Sequence, residues 1–174
     1  PSCVVLVATI RALKMHGGVE KDDLKKENLE ALKKGLPNLE RHVENIKKFG
    51  VPVVVAINDF ITDTQNEHNA IIKFCENLKV SCKISSHWSD GGKGAESLAQ
   101  EVVEIIESNT SNFKLLYDDE MTLWEKTKSI AKNIYGAENI IADKKVRNKF
   151  EKFEKDGFGS YPICMAKTQY SFST

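Results

Sequence analysis

Two uninterrupted runs of apolar, largely β-branched residues constrain this chain more than anything else in it. They are Cys3-Val4-Val5-Leu6-Val7-Ala8-Thr9 and Val51-Pro52-Val53-Val54-Val55-Ala56-Ile57. Each has the length of a strand, and neither alternates with polar residues. A strand without a polar face needs burial on both sides, the situation of a parallel sheet covered by helices on each face. Pro52 is tolerated because it stands near the start of its run. A weaker third strand is Val80-Ser81-Cys82-Lys83-Ile84.

Helical patterns lie between these runs. Leu32, Leu36, Leu39, Val43 and Ile46 recur at three- and four-residue spacing. Pro37 inside that pattern predicts two helices or a kink, and Gly50 ends the second. Thr64 with Glu67 reads as a capping box opening a helix to about Leu78. Leu98, Val102, Ile105 and Ile106 mark a helix from Ala95 to Glu107. The order β-α-α-β-α-β-α predicts an α/β fold with an open, doubly wound, mostly parallel sheet.

The remainder reads differently. Met121–Tyr135 is helical in pattern, with Trp124, Thr127, Ile130, Ala131 and Ile134 on one side and Gly136 as a cap. Lys144–Lys155 is a second helix, stopped by Gly157. Tyr161–Ala166 has the composition of a last strand. The expected organisation is an α/β portion over 1–112, a helical subdomain over 113–157, and a returning strand over 158–174, with both ends reading as cut from a longer protein.

Charge excludes some function classes. Lysine plus arginine and aspartate plus glutamate total 25 each, so the formal net charge is zero. Neither nucleic acid nor a membrane surface is an expected partner, and no apolar run is long enough to span a bilayer. Cys3, Cys75, Cys82 and Cys164 form no CxxC pair and no Cys/His zinc spacing. No metal site is expected, and reduced, structural cysteines fit the cytosol.

In open α/β sheets, ligands bind outside the carboxyl ends of the strands. That rule selects three loops: Arg11–Gly18 (RALKMHGG), Asn58–Thr64 (NDFITDT) and Ser85–Gly94 (SSHWSDGGKG). In the third, Gly91, Gly92 and Gly94 would let backbone N–H groups approach an anion. The same residues also suit a plain turn into a helix, and Gly94 after Lys93 departs from a Walker A loop. In the second, Asn58-Asp59 after an apolar strand could hold a hydrated metal, as in nucleotide hydrolases, or simply form a turn. In the first, Arg11, Lys14 and His16 beside Gly17 and Gly18 could bind phosphate or carboxylate, or form a solvated basic exit. His42 and His68 read as surface residues of helices, whereas His87 abuts Trp88 and is the better site candidate.

Phe60 and Trp88 are large aromatics in polar, turn-forming loops. Such rings expose costly apolar surface unless something covers them. Either ring could equally pack back onto the domain; together, on loops expected at one sheet edge, they could make a slot for a flat heteroaromatic ligand.

Around these residues the chain resembles the formate–tetrahydrofolate ligases. The resemblance rests on Val7-Ala8-Thr9-Ile10-Arg11-Ala12-Leu13-Lys14-Met15-His16-Gly17-Gly18, on Val51–Phe60 with Thr62-Asp63-Thr64, on His87–Gly94, and on Tyr161–Ser171. It covers essentially the whole chain and is closer to the monofunctional bacterial form. It implies a P-loop NTPase-like fold and an ATP-dependent ligase that phosphorylates formate to formyl phosphate. The N10 amine of tetrahydrofolate then attacks the formyl carbon and displaces phosphate. It also implies Mg2+ with ATP, activation by a monovalent cation (K+ or NH4+), and a cytoplasmic homotetramer. Phe60 and Trp88 match the aromatic pair that holds the folate pterin. The family's phosphate loop, with its lysine and Ser/Thr, lies upstream of Pro1 by the same resemblance, so the 174 residues alone are expected to be inactive. Two other readings remain: a nucleotide-binding switch or ATPase domain, and a noncatalytic interaction module.

Overall fold

The computed structural model describes residues 1–166. Contacts gather the chain into two compact units, Pro1–Phe113 and a second beginning at Lys114.

The first unit runs β1 (Val4–Ala8), α1 (Ile10–His16), α2 (Leu29–Lys48), β2 (Val53–Asn58), α3 (Gln65–Asn77), β3 (Ser81–Ser85), α4 (His87–Asp90) and α5 (Glu96–Glu107). The three strands form one parallel sheet in the order β1-β2-β3. Leu6 pairs with Val55, and Val55 in turn with Cys82. This is the α/β doubly wound arrangement that the apolar runs predict. The core lies on the α1–α3 side, where Ile10, Leu13, Leu32, Leu36, Val43, Val55, Ile57, Ile71 and Cys75 are buried. The capping box at the start of α3 forms as read: Thr64 accepts from the Glu67 N–H, and Glu67 accepts from the Thr64 N–H.

Four expectations for this unit need correction. The segment Arg11–Gly18 is not a loop, because Ile10–His16 is helical. Thr9 caps that helix by accepting from Ala12 N (3.1 Å), and Ile10 and Leu13 anchor it in the core. Second, Pro37 does not split its helix, and α2 is one element of twenty residues. Pro37 faces solvent, while Leu32 and Leu36 before it and Leu39 and Val43 after it are buried. That packing outweighs the one helical hydrogen bond that proline forfeits. Third, the apolar run of β1 is not buried on both faces: Val5 and Val7 are 41% and 62% exposed. Fourth, Ser85–Gly94 is largely regular, with α4 followed by a 3-10 turn over Gly91–Ala95.

Helices α1 and α2 touch through their glycines. A Cβ on Gly17 would stand 1.8 Å from the Ala31 carbonyl oxygen, and one on Gly35 1.9 Å from that of Leu13. Only hydrogen at both positions permits this approach.

In the second unit, α6 (Leu123–Asn133) opens with a second capping box, Thr122 with Glu125. Trp124 packs edge-on against Phe150 of α7 (Lys144–Phe153), with ring centroids 5.4 Å apart, and the Arg147 guanidinium lies 4.6 Å over the Trp124 ring. Tyr161–Ala166 forms no strand. Two of its main-chain groups are met by side chains instead of a ladder: Ile163 N donates to the Tyr117 hydroxyl (3.0 Å), and buried Lys126 donates to the Tyr161 carbonyl as well as to that of Gly159 before the segment. The rest of the expected returning segment, 167–174, lies outside the described residues. Among the described residues, no helix is long and apolar enough to cross a membrane.

Candidate functional site

Strands β2 and β3 end level with each other. Asn58 pairs with Ser85, and the Asp59 N–H donates to the Ser85 carbonyl (3.1 Å). The chain then leaves both strands at the same carboxyl edge. Trp88, at the start of α4, returns toward β2 and donates its indole N–H to the Asp59 carbonyl (2.6 Å). The residue after that carbonyl is Phe60. One main-chain acceptor therefore joins the two aromatic loops. Trp88 is 55% exposed even so, which leaves much of its ring free.

Phe60 is fixed by its own turn. The Asp63 N–H donates to the Phe60 carbonyl (2.8 Å), and the Phe60 N–H donates to Asp63 Oδ2 (3.0 Å). The Arg11 guanidinium, from the first turn of α1, sits 4.1 Å over the Phe60 ring and donates from Nη2 to Thr62 Oγ1 (3.2 Å). A cation over a ring face is favourable by about 0.5–1 kcal/mol where water still reaches it. Arg11 therefore backs one side of Phe60.

Beneath this turn lie Asp59, Asp63 and His68. His68 Nε2 is 3.0 Å from Asp59 Oδ1, at ion-pair distance without hydrogen-bond geometry. Burial raises the Asp63 carboxyl above the ordinary range. The Phe60 N–H lowers it, the Asp59 charge raises it, His68 lowers it, and Glu67 raises it again.

The expected site residues divide. Arg11, Asn58, Asp59, Phe60 and Trp88 come together at the carboxyl edge. Lys14 does not face it as an open cation: its side chain is fully buried, 2.9 Å from Glu67 Oε1 and 3.0 Å from the Lys26 carbonyl. A lysine so enclosed ties α1 to α3. His16 ends α1 on an exposed turn, and its charge bears on His42 of α2, whose half-buried ring is held below its ordinary pKa by burial first and by His16 second. Gly17 is committed to the contact with Ala31, whereas Gly18 is open. Gly91 and Gly92 also have open space around them, and Gly94 packs against Ser86. His87 is exposed and bonds Ser85 Oγ through Nδ1 (3.0 Å).

The sequence reading placed Thr62 and Asp63 in the loop at this edge without giving either a role, and it missed His68. His68 is not a surface residue but is 7% exposed. The signal was present: His68 follows the capping glutamate on the first turn of α3, and that turn faces the loop that precedes it.

Comparison with known proteins agrees with this arrangement of motifs. The family model described as formate–tetrahydrofolate ligase matches residues 1–174. The chain is 59% identical over 174 residues to the formate–tetrahydrofolate ligase of Pelagibacter ubique, 56% to that of Granulibacter bethesdensis and 54% to that of Ruegeria pomeroyi. All of this chain is covered in each case, but it spans only 31%, 30% and 31% of those proteins. The match over every residue establishes that the chain belongs to the formate–tetrahydrofolate ligase family.

Proposed function

We propose that this chain is the acceptor-binding portion of an ATP-dependent ligase that joins formate to tetrahydrofolate, with Phe60 and Trp88 holding the pterin. The observation that carries this reading is the hydrogen bond from Trp88 Nε1 to the carbonyl of Asp59, the residue preceding Phe60. It couples the two aromatic loops while leaving Trp88 largely open to a flat ligand. Arg11 behind Phe60 supports the same reading, because it stiffens that ring from the side a ligand does not need.

The chemistry requires more than this portion. Formate is first phosphorylated by ATP, with Mg2+ on the nucleotide, and the N10 amine of tetrahydrofolate then displaces phosphate from the formyl carbon. A phosphate loop of the Gly-Lys-Ser/Thr kind does not occur in the 174 residues. We assign formate activation, and activation by K+ or NH4+, to the remainder of the ligase. Assembly as a homotetramer in the cytoplasm belongs to the same proposal.

The test uses the full-length ligase carrying this sequence. Aromatic stacking on a heterocycle contributes about 1–3 kcal/mol per ring by alanine substitution. Phe60→Ala and Trp88→Ala should each weaken folate binding by roughly tenfold or more, with formate and ATP constants largely kept. Quenching of tryptophan fluorescence by a folate analogue should disappear in Trp88→Ala. Formate and ATP constants that worsened as much as the folate constant would remove the slot assignment.

A further inference from the structure

We propose that Asp59, Asp63 and His68 form a binding site for one divalent transition-metal ion, which clips the Phe60 turn to the first turn of α3. The three side chains each offer a ligand atom, and those atoms lie within 4.8 Å of one another. Two ligands on one metal at about 2.1 Å stand roughly 3 Å apart, and His68 Nε2 lies 3.0 Å from Asp59 Oδ1.

An acidic cluster alone would carry little weight. Here two of the three donor atoms are buried and lack hydrogen-bond partners. They are Nε2 of His68, a side chain 8% exposed, and Oδ1 of Asp63. A buried polar atom left unpaired costs about 1–3 kcal/mol. Asp63 Oδ1 is such an atom, and His68 Nε2 faces Asp59 Oδ1 at 3.0 Å without hydrogen-bond geometry. The cluster therefore has the donors of a site and lacks the hydrogen bonds that would close it. A cation arriving there would take one lone pair from Asp63 Oδ1 and one from the neutral His68 ring at Nε2.

The surroundings fit that role. Asp63 Oδ2 accepts from the Phe60 N–H, which fixes the carboxylate and leaves Oδ1 buried without a hydrogen-bond partner. Such outer contacts orient metal ligands. Arg11 is directed to Thr62 and the Phe60 ring, so it does not neutralise the cluster by pairing with either carboxylate. Two carboxylates and a neutral imidazole carry two negative charges, matched by one divalent ion. One nitrogen and two oxygens favour Mn2+, Fe2+, Co2+ or Zn2+ over Mg2+ and Ca2+, which prefer oxygen alone. Phe60 lies between Asp59 and Asp63 in the chain, so occupancy would reduce the freedom of its loop. Only this last consequence rests on the folate reading; the metal site itself does not.

Cobalt is the probe. The full-length ligase is stripped with chelator, kept free of nucleotide, and titrated with Co2+ by equilibrium dialysis and visible absorption. The expected result is a ligand-field band and one Co2+ per chain that are lost, or weakened at least tenfold, in His68→Gln, Asp63→Asn and Asp59→Asn. Zn2+ should displace Co2+ at concentrations where Mg2+ does not. Each variant removes a different donor and is checked for cooperative melting without metal, so a folding failure in one leaves two to decide. Co2+ binding and absorption unchanged in the folded variants, or no such band in the parent, would overturn the site. Folate affinity is read separately by fluorescence, so loss of the pterin reading and loss of the metal site are distinguishable.

Discussion

Glu67 shows how far a single residue can be read from its neighbours. Its capping role is local, since Thr64 stands three positions before it, and that spacing alone predicts the box. Its second role is not local: Oε1 also accepts from Lys14 Nζ (2.9 Å) and from the Asn28 N–H (3.1 Å), both distant in the chain. No pattern of types or spacing names such partners. For the same reason Lys14 reads as an open basic residue, and His68 as a surface one, until α1 and α3 are packed together. Burial raises the Glu67 carboxyl, but the Lys14 ammonium and the N–H groups of Asn28 and Thr64 outweigh it and hold the group below its ordinary range. Glu67→Gln would leave Lys14 charged and fully buried without its carboxylate partner, which costs about 3–5 kcal/mol. The expected outcome is a large fall in the chemical-denaturation midpoint, much of it recovered when Lys14→Met is added. A carboxyl lowered in the folded state contributes its stability above the unfolded value and loses it as pH falls through the folded one. The gap between the parent and Glu67→Gln should therefore narrow in acid, and a gap independent of pH would place the loss elsewhere.

Elements were legible where one period dominates. Strands β1 and β2 follow from their apolar runs, and α3 from its cap. Helix α1 was hidden because Arg11-Ala12-Leu13-Lys14 is short and lies on a carboxyl edge where loops are expected. Its evidence is Thr9 as a cap with Ile10 and Leu13 buried. Helix α2 tests the weight of a helix breaker against packing. Pro37 is exposed and interior, where proline is disfavoured by about 3 kcal/mol relative to alanine. Proline also restricts the unfolded chain, which offsets about 0.4–1 kcal/mol of that. Pro37→Ala should therefore stabilise the chain by roughly 2 kcal/mol, seen as a higher denaturant midpoint at unchanged slope. A neutral or destabilising result would mean that the proline supports a shape α2 needs against β1 and β2.

On the scale of the whole molecule, β1 carries information that the first unit by itself does not use. Its run is apolar on both faces, yet Val5 and Val7 stand exposed, while Val54 and Ala56, their partners in register on β2, are 0% and 3% exposed. Helix α5 packs against β3 and β2 and leaves that face of β1 bare. Parallel sheets are covered on both faces, and the chain spans 31% of the Pelagibacter relative. If the chain is one portion of a ligase, as proposed, the remainder of the ligase is expected to cover this surface. Val7→Lys separates the two contexts. In the 174-residue chain the lysine meets water, so stability should change by no more than about 0.5 kcal/mol and solubility should rise. In the full-length ligase the same charge would be forced into a packed interface, where an unpaired ion is costly, and the thermal midpoint should fall by several degrees. Equal tolerance in both proteins would show that β1 stays bare in the assembled enzyme, and that its second apolar face serves something other than the fold.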